Sequence, residues 1–391
     1  MNTPDRAGRD FDLVLYGATG FVGELTAQYL AEHAPSDCRW AIAGRNREKL
    51  EQLREGLGRP ELPLLLADAK DGAALRELAA STRVVATTAG PYLWYGEPLV
   101  AACAEEGTDY ADLTGEGEFV DRVFLAHDAR ARETGAKLVH ACGFDSVPHD
   151  LGAYYTVLQL PEDVPLRVDG FVRSQALISG GTLASALTVM SRGRQTLAAA
   201  RERRLHEPRL PDRRARAPLG APRRSAETGT WALPLPTLDR TVVERSASTL
   251  RRYGPDFRYR HYASVKHLPV AAGGVAAMGG ALLAAQVPPV RQWLMDRYQP
   301  GRGPDAERRA RSWFTVRFVG EGGGRRVLTE VSGGDPGYGE TAKMLAESAL
   351  CLAYDELPAR AGQLTTAVAM GDALLSRLHG AGIRFRVAHT S

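Results

Sequence analysis

The sequence is short of three things that would have narrowed its role at once. Cysteine is scarce: four in 391 residues, at positions 38, 103, 142 and 351, with no C-x-x-C spacing. That excludes a disulfide framework and a thiolate metal module, and it fits a reducing compartment. Charge of one sign is also scarce. The 49 basic and 46 acidic residues leave a formal net charge of +3, so no broad basic field exists to hold nucleic acid, and none is expected as a partner. Histidines at metal-ligand spacing are the third absence: the nine are scattered, with no H-E-x-x-H pairing, and the sequence predicts no metal site. Asp5, Arg6, Arg9 and Asp10 precede the first strand pattern where a signal peptide would place an apolar run, so a cytoplasmic protein is expected. What is present is apolar material, 44% hydrophobic against 24% charged, enough for one large domain or two ordinary ones.

Over residues 1–150 short apolar runs alternate with helical stretches. The strand candidates are Asp12–Tyr16, Arg39–Ala43, Leu62–Ala67, Val84–Thr88, Thr108–Leu113 and Lys137–Ala141. Six strands separated by helices predict a doubly wound parallel sheet, an α/β domain. From 151 to 335 the rhythm changes to isolated strand-like runs, Leu166–Ser174, Thr241–Ser246, Trp313–Val319 and Arg325–Val331, which predict a second, mixed-sheet α+β domain. Within it, residues 201–224 hold nine arginines against three acids, interrupted by Pro208, Pro211, Pro218 and Pro222. This reads as a solvated surface excursion, with an acidic docking partner as the other reading. Residues 269–290 carry no charged side chain and are rich in Ala and Gly. They predict a pocket-lining helix, or a membrane-surface contact in place of a span. Residues 336–391 read as C-terminal helices that pack back on the first domain.

Directly after the first strand comes Gly17-Ala18-Thr19-Gly20-Phe21-Val22-Gly23, and a helical stretch follows. Glycine permits the tight turn and the close approach of backbone to a pyrophosphate, while amides at the helix start supply donors and a favourable dipole. Gly17, Thr19, Gly20, Phe21, Val22 and Gly23 are therefore assigned to a dinucleotide. The second predicted strand ends in Gly44-Arg45-Asn46-Arg47, where an acid would select NADH. A guanidinium there grips a 2′-phosphate instead, so Arg45, with Asn46 beside it, predicts NADPH. Asp68 closes the third strand, either toward adenine or as a helix cap. Thr88, Ala89, Gly90 and Pro91 close the fourth, at the edge where the nicotinamide ribose belongs.

With Tyr110-x-Asp112-Leu113-x-Gly115-Glu116 and Gly143-Phe144-Asp145-Ser146-Val147-Pro148, these motifs resemble the saccharopine-dehydrogenase-like oxidoreductases. Ser179-Gly180-Gly181-Thr182, Gly334-Asp335-Pro336-Gly337-Tyr338 and the stretch Leu364–Gly371 look most like the trans-acting enoyl reductases of polyketide-lipid biosynthesis. The resemblance implies a Rossmann domain, a mixed second domain, a homodimer, and NADPH-dependent reduction of an acyl chain on the carrier protein of a polyketide synthase. Two other readings stay open: an imine reductase or secondary-amine dehydrogenase, and a non-catalytic NADP-binding protein of lipid surfaces.

Enoyl reduction needs a hydride at the β-carbon, stabilisation of the enolate oxygen and a proton at the α-carbon. Ligands in open α/β sheets sit at the carboxyl ends of the strands, which makes Tyr92, Tyr95, Asp145 and His149 the catalytic candidates. Asp112 and Glu116 are weaker ones. Packing explains Tyr92 and Tyr95 equally well, and an interdomain hinge held by hydrogen bonds of Asp145 and Ser146 explains the stretch Asp145–His149. Ser179–Thr182 reads as a helix cap or as a phosphate-binding turn for the carrier's prosthetic arm.

Overall fold

The computed structural model describes residues 8–175, 188, 190–208, 210–270, 272–273, 276–277, 280, 287, 289 and 304–390. Apolar strand runs and amphipathic helices alternate at first: β1 (Phe11–Tyr16), α1 (Phe21–His33), β2 (Trp40–Gly44), α2 (Arg47–Gly56), β3 (Leu64–Leu66), α3 (Gly72–Ser81), β4 (Thr82–Thr87), α4 (Tyr92–Tyr95), α5 (Glu97–Glu106), β5 (Asp109–Asp112), α6 (Gly117–Thr134), β6 (Lys137–Val139) and α7 (Val147–Val157). Then follow β7 (Leu166–Gln175), α8 (Gly193–His206), β8 (Arg214–Arg216), β9 (Arg223–Arg224), β10 (Trp231–Pro234), α9 (Asp239–Thr249), β11 (Asp256–Val265), α10 (Ala306–Ala310), β12 (Trp313–Gly322) and β13 (Arg325–Gly333). The chain closes with α11 (Gly339–Tyr354), β14 (Gly362–Leu364), α12 (Thr366–Ala369), α13 (Gly371–Gly380) and β15 (Arg384–Thr390).

The first sheet has seven strands in the order β14-β6-β5-β4-β1-β2-β3, all parallel. Its central strands are buried on both faces, as unbroken runs such as Asp12-Leu13-Val14-Leu15-Tyr16 require. The order reverses between β1 and β4, and that switch point is where a ligand crevice opens. The second sheet has eight strands, β15-β13-β12-β7-β11-β10-β9 with β8 also on β11. It is mixed: β11 runs parallel to β7 and β8, while its other pairs are antiparallel. One hydrophobic core spans both sheets, from Leu13 and Val84 through Leu151 on α7 and Leu345 on α11 to Val316 and Phe318 on β12. A Rossmann-type sheet with a second mixed sheet is the expected architecture.

Several local expectations are corrected. Thr241–Ser246 is helical, inside α9, because Val242, Val243, Ser246 and Ala247 bury one face at helical spacing and override the β-branched run. The stretch expected as C-terminal helices also contributes two strands: β14 pairs with β6 at the edge of the first sheet, and β15 pairs with β13. Residues 201–224 are largely exposed among the described residues, as a surface excursion should be, but several of their arginines are tied to the fold. Arg203, only 2% exposed, bonds Asp121 at 2.5 Å and pairs with Glu207. Arg213 donates to the carbonyls of Leu250, Arg251 and Gly254, Arg216 pairs with Asp256 at 2.8 Å, and Arg223 pairs with Asp169 at 2.9 Å. Ser179–Thr182 and most of 269–290 lie outside the described residues. Among the described residues no helix is long and apolar enough to cross a membrane.

Candidate active site

The chain leaves β1 at Tyr16 and turns immediately into α1. Gly17 adopts φ +79°, and a Cβ there would stand 3.0 Å from both the Cβ and the amide nitrogen of Ala89, so glycine lets the ends of β1 and β4 meet. At Gly23 a Cβ would lie 2.3 Å from the Gly17 carbonyl oxygen and 2.8 Å from the Ala18 backbone. Gly20 is different. Its Cβ would touch only the Gly17 oxygen, at 3.5 Å, which leaves the outer side of the turn open. The amides of Phe21, Val22 and Gly23 carry no hydrogen bond among the described residues. The start of α1 thus presents three donors and the positive end of a 13-residue helix dipole. Thr19 stands half-buried in the same turn. The Phe21 ring is held edge-on by Tyr338, at 5.0 Å between centroids, which seats the Gly334–Tyr338 loop beside the glycine turn.

The other end of the crevice follows from β2. Arg45 projects just beyond it, exposed and without an ion pair among the described residues, whereas Arg47 reaches Glu51 at 3.8 Å. Asn46 caps α2, its Oδ1 accepting from the Lys49 amide at 2.8 Å, so its side chain is already committed. Asp68 accepts from the Lys70 amide at 2.9 Å, and Asp71 takes the capping role on α3. Burial pushes the Tyr16 phenol up to about 12, with the charge of Asp68 adding and that of Arg45 opposing. The Tyr16 hydroxyl donates to the Ala67 carbonyl at 3.3 Å, one residue before Asp68.

At the end of β4 the Thr88 amide donates to the Tyr16 carbonyl at 3.0 Å and its hydroxyl to the Gly17 carbonyl at 2.9 Å. Ala89 and the cis-linked Gly90-Pro91 follow. The cradle that a Cβ would fill, the three open amides and the free guanidinium fit a dinucleotide bearing a 2′-phosphate.

Comparison with known proteins agrees. Residues 13–139 match the family model for the saccharopine dehydrogenase NADP binding domain. A putative trans-acting enoyl reductase of Mycobacterium tuberculosis is 41% identical over 408 aligned residues, covering 96% of this chain and 97% of that one. The trans-acting enoyl reductase of Mycobacterium bovis is 38% identical, with the same coverage. The chain belongs to the trans-acting enoyl reductase family. Apo saccharopine dehydrogenase from Saccharomyces cerevisiae shares its fold, at TM-score 0.56 and 11% identity over 96% of this chain and 99% of that one. As a member of the enoyl reductase family the chain is an NADPH-dependent oxidoreductase.

The catalytic candidates separate sharply. Tyr92 is buried, and its hydroxyl donates to the Thr87 carbonyl at 3.0 Å and accepts from the Leu113 amide at 3.2 Å. That proton is committed to bracing the loops, which runs against the expectation that Tyr92 protonates substrate. Burial, then the nearby Asp112 charge, holds its phenol protonated. Tyr95 and its neighbour Trp94 are exposed on α4. Asp112 and Glu116 are structural. Asp112 accepts from Tyr110, Thr114 and Ala141 and contacts His140 Nδ1 at 2.7 Å, and Glu116 accepts from the amides of Tyr92 and Leu93.

Asp145 lies between the loops that follow β5 and β6, where a Cβ on Gly115 would be 3.2 Å from its Oδ2. Its carboxyl has no hydrogen bond among the described residues, and burial raises its pKa. His149, on α7, is buried against Phe144 and does not open on solvent. Sequence reasoning missed its companions. Asp239 and His261 come within reach of it although they lie 90 and 112 positions further along the chain, and no motif marks either. His261 Nε2 is 3.2 Å from Asp239 Oδ2, and His149 Nε2 is 3.9 Å from that oxygen. Burial pushes His261 down to about 3, with Arg240 adding, and lowers His149; burial, then the Asp145 charge, raises Asp239.

Proposed function

We propose that the chain reduces an α,β-unsaturated acyl thioester presented on the carrier protein of a polyketide synthase. The observation that supports this reading is 41% identity across nearly the whole length of a relative named a putative trans-acting enoyl reductase. When bound, NADPH supplies a hydride for the β-carbon. The Gly17–Gly23 turn and Arg45 hold its phosphates, and Ala89 and Gly90 leave space for the nicotinamide ribose. As the hydride arrives, the alkene electron pair moves onto the thioester carbonyl oxygen, and the enolate collapses by taking a proton at the α-carbon. Asp145 supplies that proton, because it is the candidate whose carboxyl is both unengaged and placed between the two carboxyl-end loops. Asp145 then regains a proton from water. Trp94 and Tyr95, exposed beside the crevice, form the apolar rim that a long chain would cross. The exposed Leu268 and Val270 support a membrane-surface contact at the start of 269–290.

The test follows NADPH absorbance with an enoyl thioester, an imine and a ketone of equal chain length. Consumption with the enoyl compound alone is expected, and turnover of the imine alone would overturn the reading. Asp145→Asn should lower kcat about a hundredfold or more, as general-acid contributions do, while NADPH affinity stays unchanged. A variant that keeps full kcat would remove Asp145 from the mechanism.

A further inference from the structure

We propose that His149, Asp239 and His261 form a binding site for one divalent cation, with zinc the best match, where α7, α9 and β11 converge between the two sheets. The three residues come from three separate elements, and their ligand atoms all lie within 4.8 Å of one another. Two imidazole nitrogens and a carboxylate oxygen are the donor set that zinc takes in three-ligand sites, with a fourth position left to water. Tetrahedral coordination at about 2.0–2.2 Å places neighbouring ligands roughly 3.5 Å apart. The separations of 3.2 and 3.9 Å from the Asp239 oxygen to the two imidazoles straddle that spacing.

Three further observations point to a ligand. The group is sealed, each residue being under 5% exposed. Its polar capacity is also unfilled: His149 Nδ1 and Asp239 Oδ1 are buried without a hydrogen bond, an arrangement native interiors avoid. A simple Asp239–His261 hydrogen bond explains the 3.2 Å contact but leaves both of those atoms orphaned; a cation held by both carboxylate oxygens would take up Asp239 Oδ1, and turning the His149 ring to ligate through Nδ1 would take up the other. The outer contacts match a metal site too, since the Tyr259 hydroxyl lies 3.0 Å from His261 Nδ1 and the Thr237 hydroxyl donates to Asp239 Oδ2 at 2.8 Å. Such partners orient metal ligands.

The experiment uses the full chain, purified without a histidine tag, with metal content measured by inductively coupled plasma mass spectrometry. About one zinc per chain is expected. The stripped protein titrated with Co²⁺ should develop visible ligand-field bands of a tetrahedral or five-coordinate site. His261→Gln and Asp239→Asn should abolish both signals while circular dichroism and NADPH binding persist. Because a buried variant can fail to fold, Tyr259→Phe provides a milder check and should weaken zinc affinity ten- to a hundredfold. Wild-type protein with no bound metal and no Co²⁺ bands would overturn the proposal, as would undiminished bands in folded His261→Gln. Neither readout depends on enoyl reduction, so a metal-free chain that still turns over would refute this site alone.

Discussion

Changing Gly20 and Gly23 separately to alanine should split the glycine turn into a ligand-facing half and a packing half. At Gly23 the new methyl carbon would sit 2.3 Å from the Gly17 oxygen and 2.8 Å from the Ala18 backbone. These are backbone atoms, so the turn itself must move by about 1 Å, an overpacking cost of roughly 1–3 kcal/mol or more. That cost falls on the protein with or without cofactor. At Gly20 the φ of −83° suits any residue and the nearest atom is an ordinary 3.5 Å away. The apo protein should therefore be unchanged or slightly stabilised, by up to about 1 kcal/mol. The methyl would stand on the open side of the turn, the side from which a pyrophosphate would approach the amides of Phe21, Val22 and Gly23. Losing one or two charge-assisted hydrogen bonds of about 1.5–3 kcal/mol each weakens NADPH binding at least tenfold. Thermal melts of the apo proteins, with fluorescence titration of NADPH, separate the two cases. Gly23→Ala should melt several degrees lower, whereas Gly20→Ala should melt like wild type yet bind NADPH poorly. If Gly20→Ala binds NADPH normally, the pyrophosphate does not lie on this turn.

Two other outcomes follow from side chains described above. Arg45→Asp should raise the Kd for NADPH at least tenfold and leave that for NADH nearly unchanged, as read by paired titrations; equal losses would remove Arg45 from the 2′-phosphate. For Glu207, burial raises its pKa but the guanidiniums of Arg245 and Arg203 outweigh that and hold it below its ordinary 4.5. A lowered folded-state pKa means its stabilising effect is complete above about 4.5 and is lost as pH falls through the lower folded value. Glu207→Gln should thus be destabilised at pH 7, by about 3–5 kcal/mol as for a broken buried pair. In urea melts, a gap to wild type that does not narrow as pH falls below 4.5 would contradict this linkage.

Much of the cofactor half could be read from sequence because its signals are local. A glycine turn between strand and helix, and an arginine at the next strand end, are short-range patterns whose geometry the chain itself dictates. Asp145, the proposed proton donor, lay in a short motif at a strand end and could be picked out there as a candidate. Packing and proton donation stayed open for Tyr92 because nothing local says that its hydroxyl meets the Thr87 carbonyl and the Leu113 amide. The arginines of 201–224 looked solvated because their acids, Asp121, Asp169 and Asp256, are distant in sequence. Val242 and Val243 favoured a strand until tertiary burial of one face made α9. Asp239 and His261 were invisible for the same reason: only the docking of α9 and β11 on α7 brings them to His149.

The pairing of β14 with β6 has a consequence for synthesis. A ribosome emits the dinucleotide-binding strands early, yet the seventh staple of their sheet, and the helix α11 that covers β4 and β5, arrive some two hundred residues later. Until then β6 is a bare template edge, able to recruit a stranger's strand. An amino-terminal fragment ending near residue 150 should consequently be an aggregation-prone folding intermediate, and maturation of the cofactor crevice must await the last stretch of polypeptide.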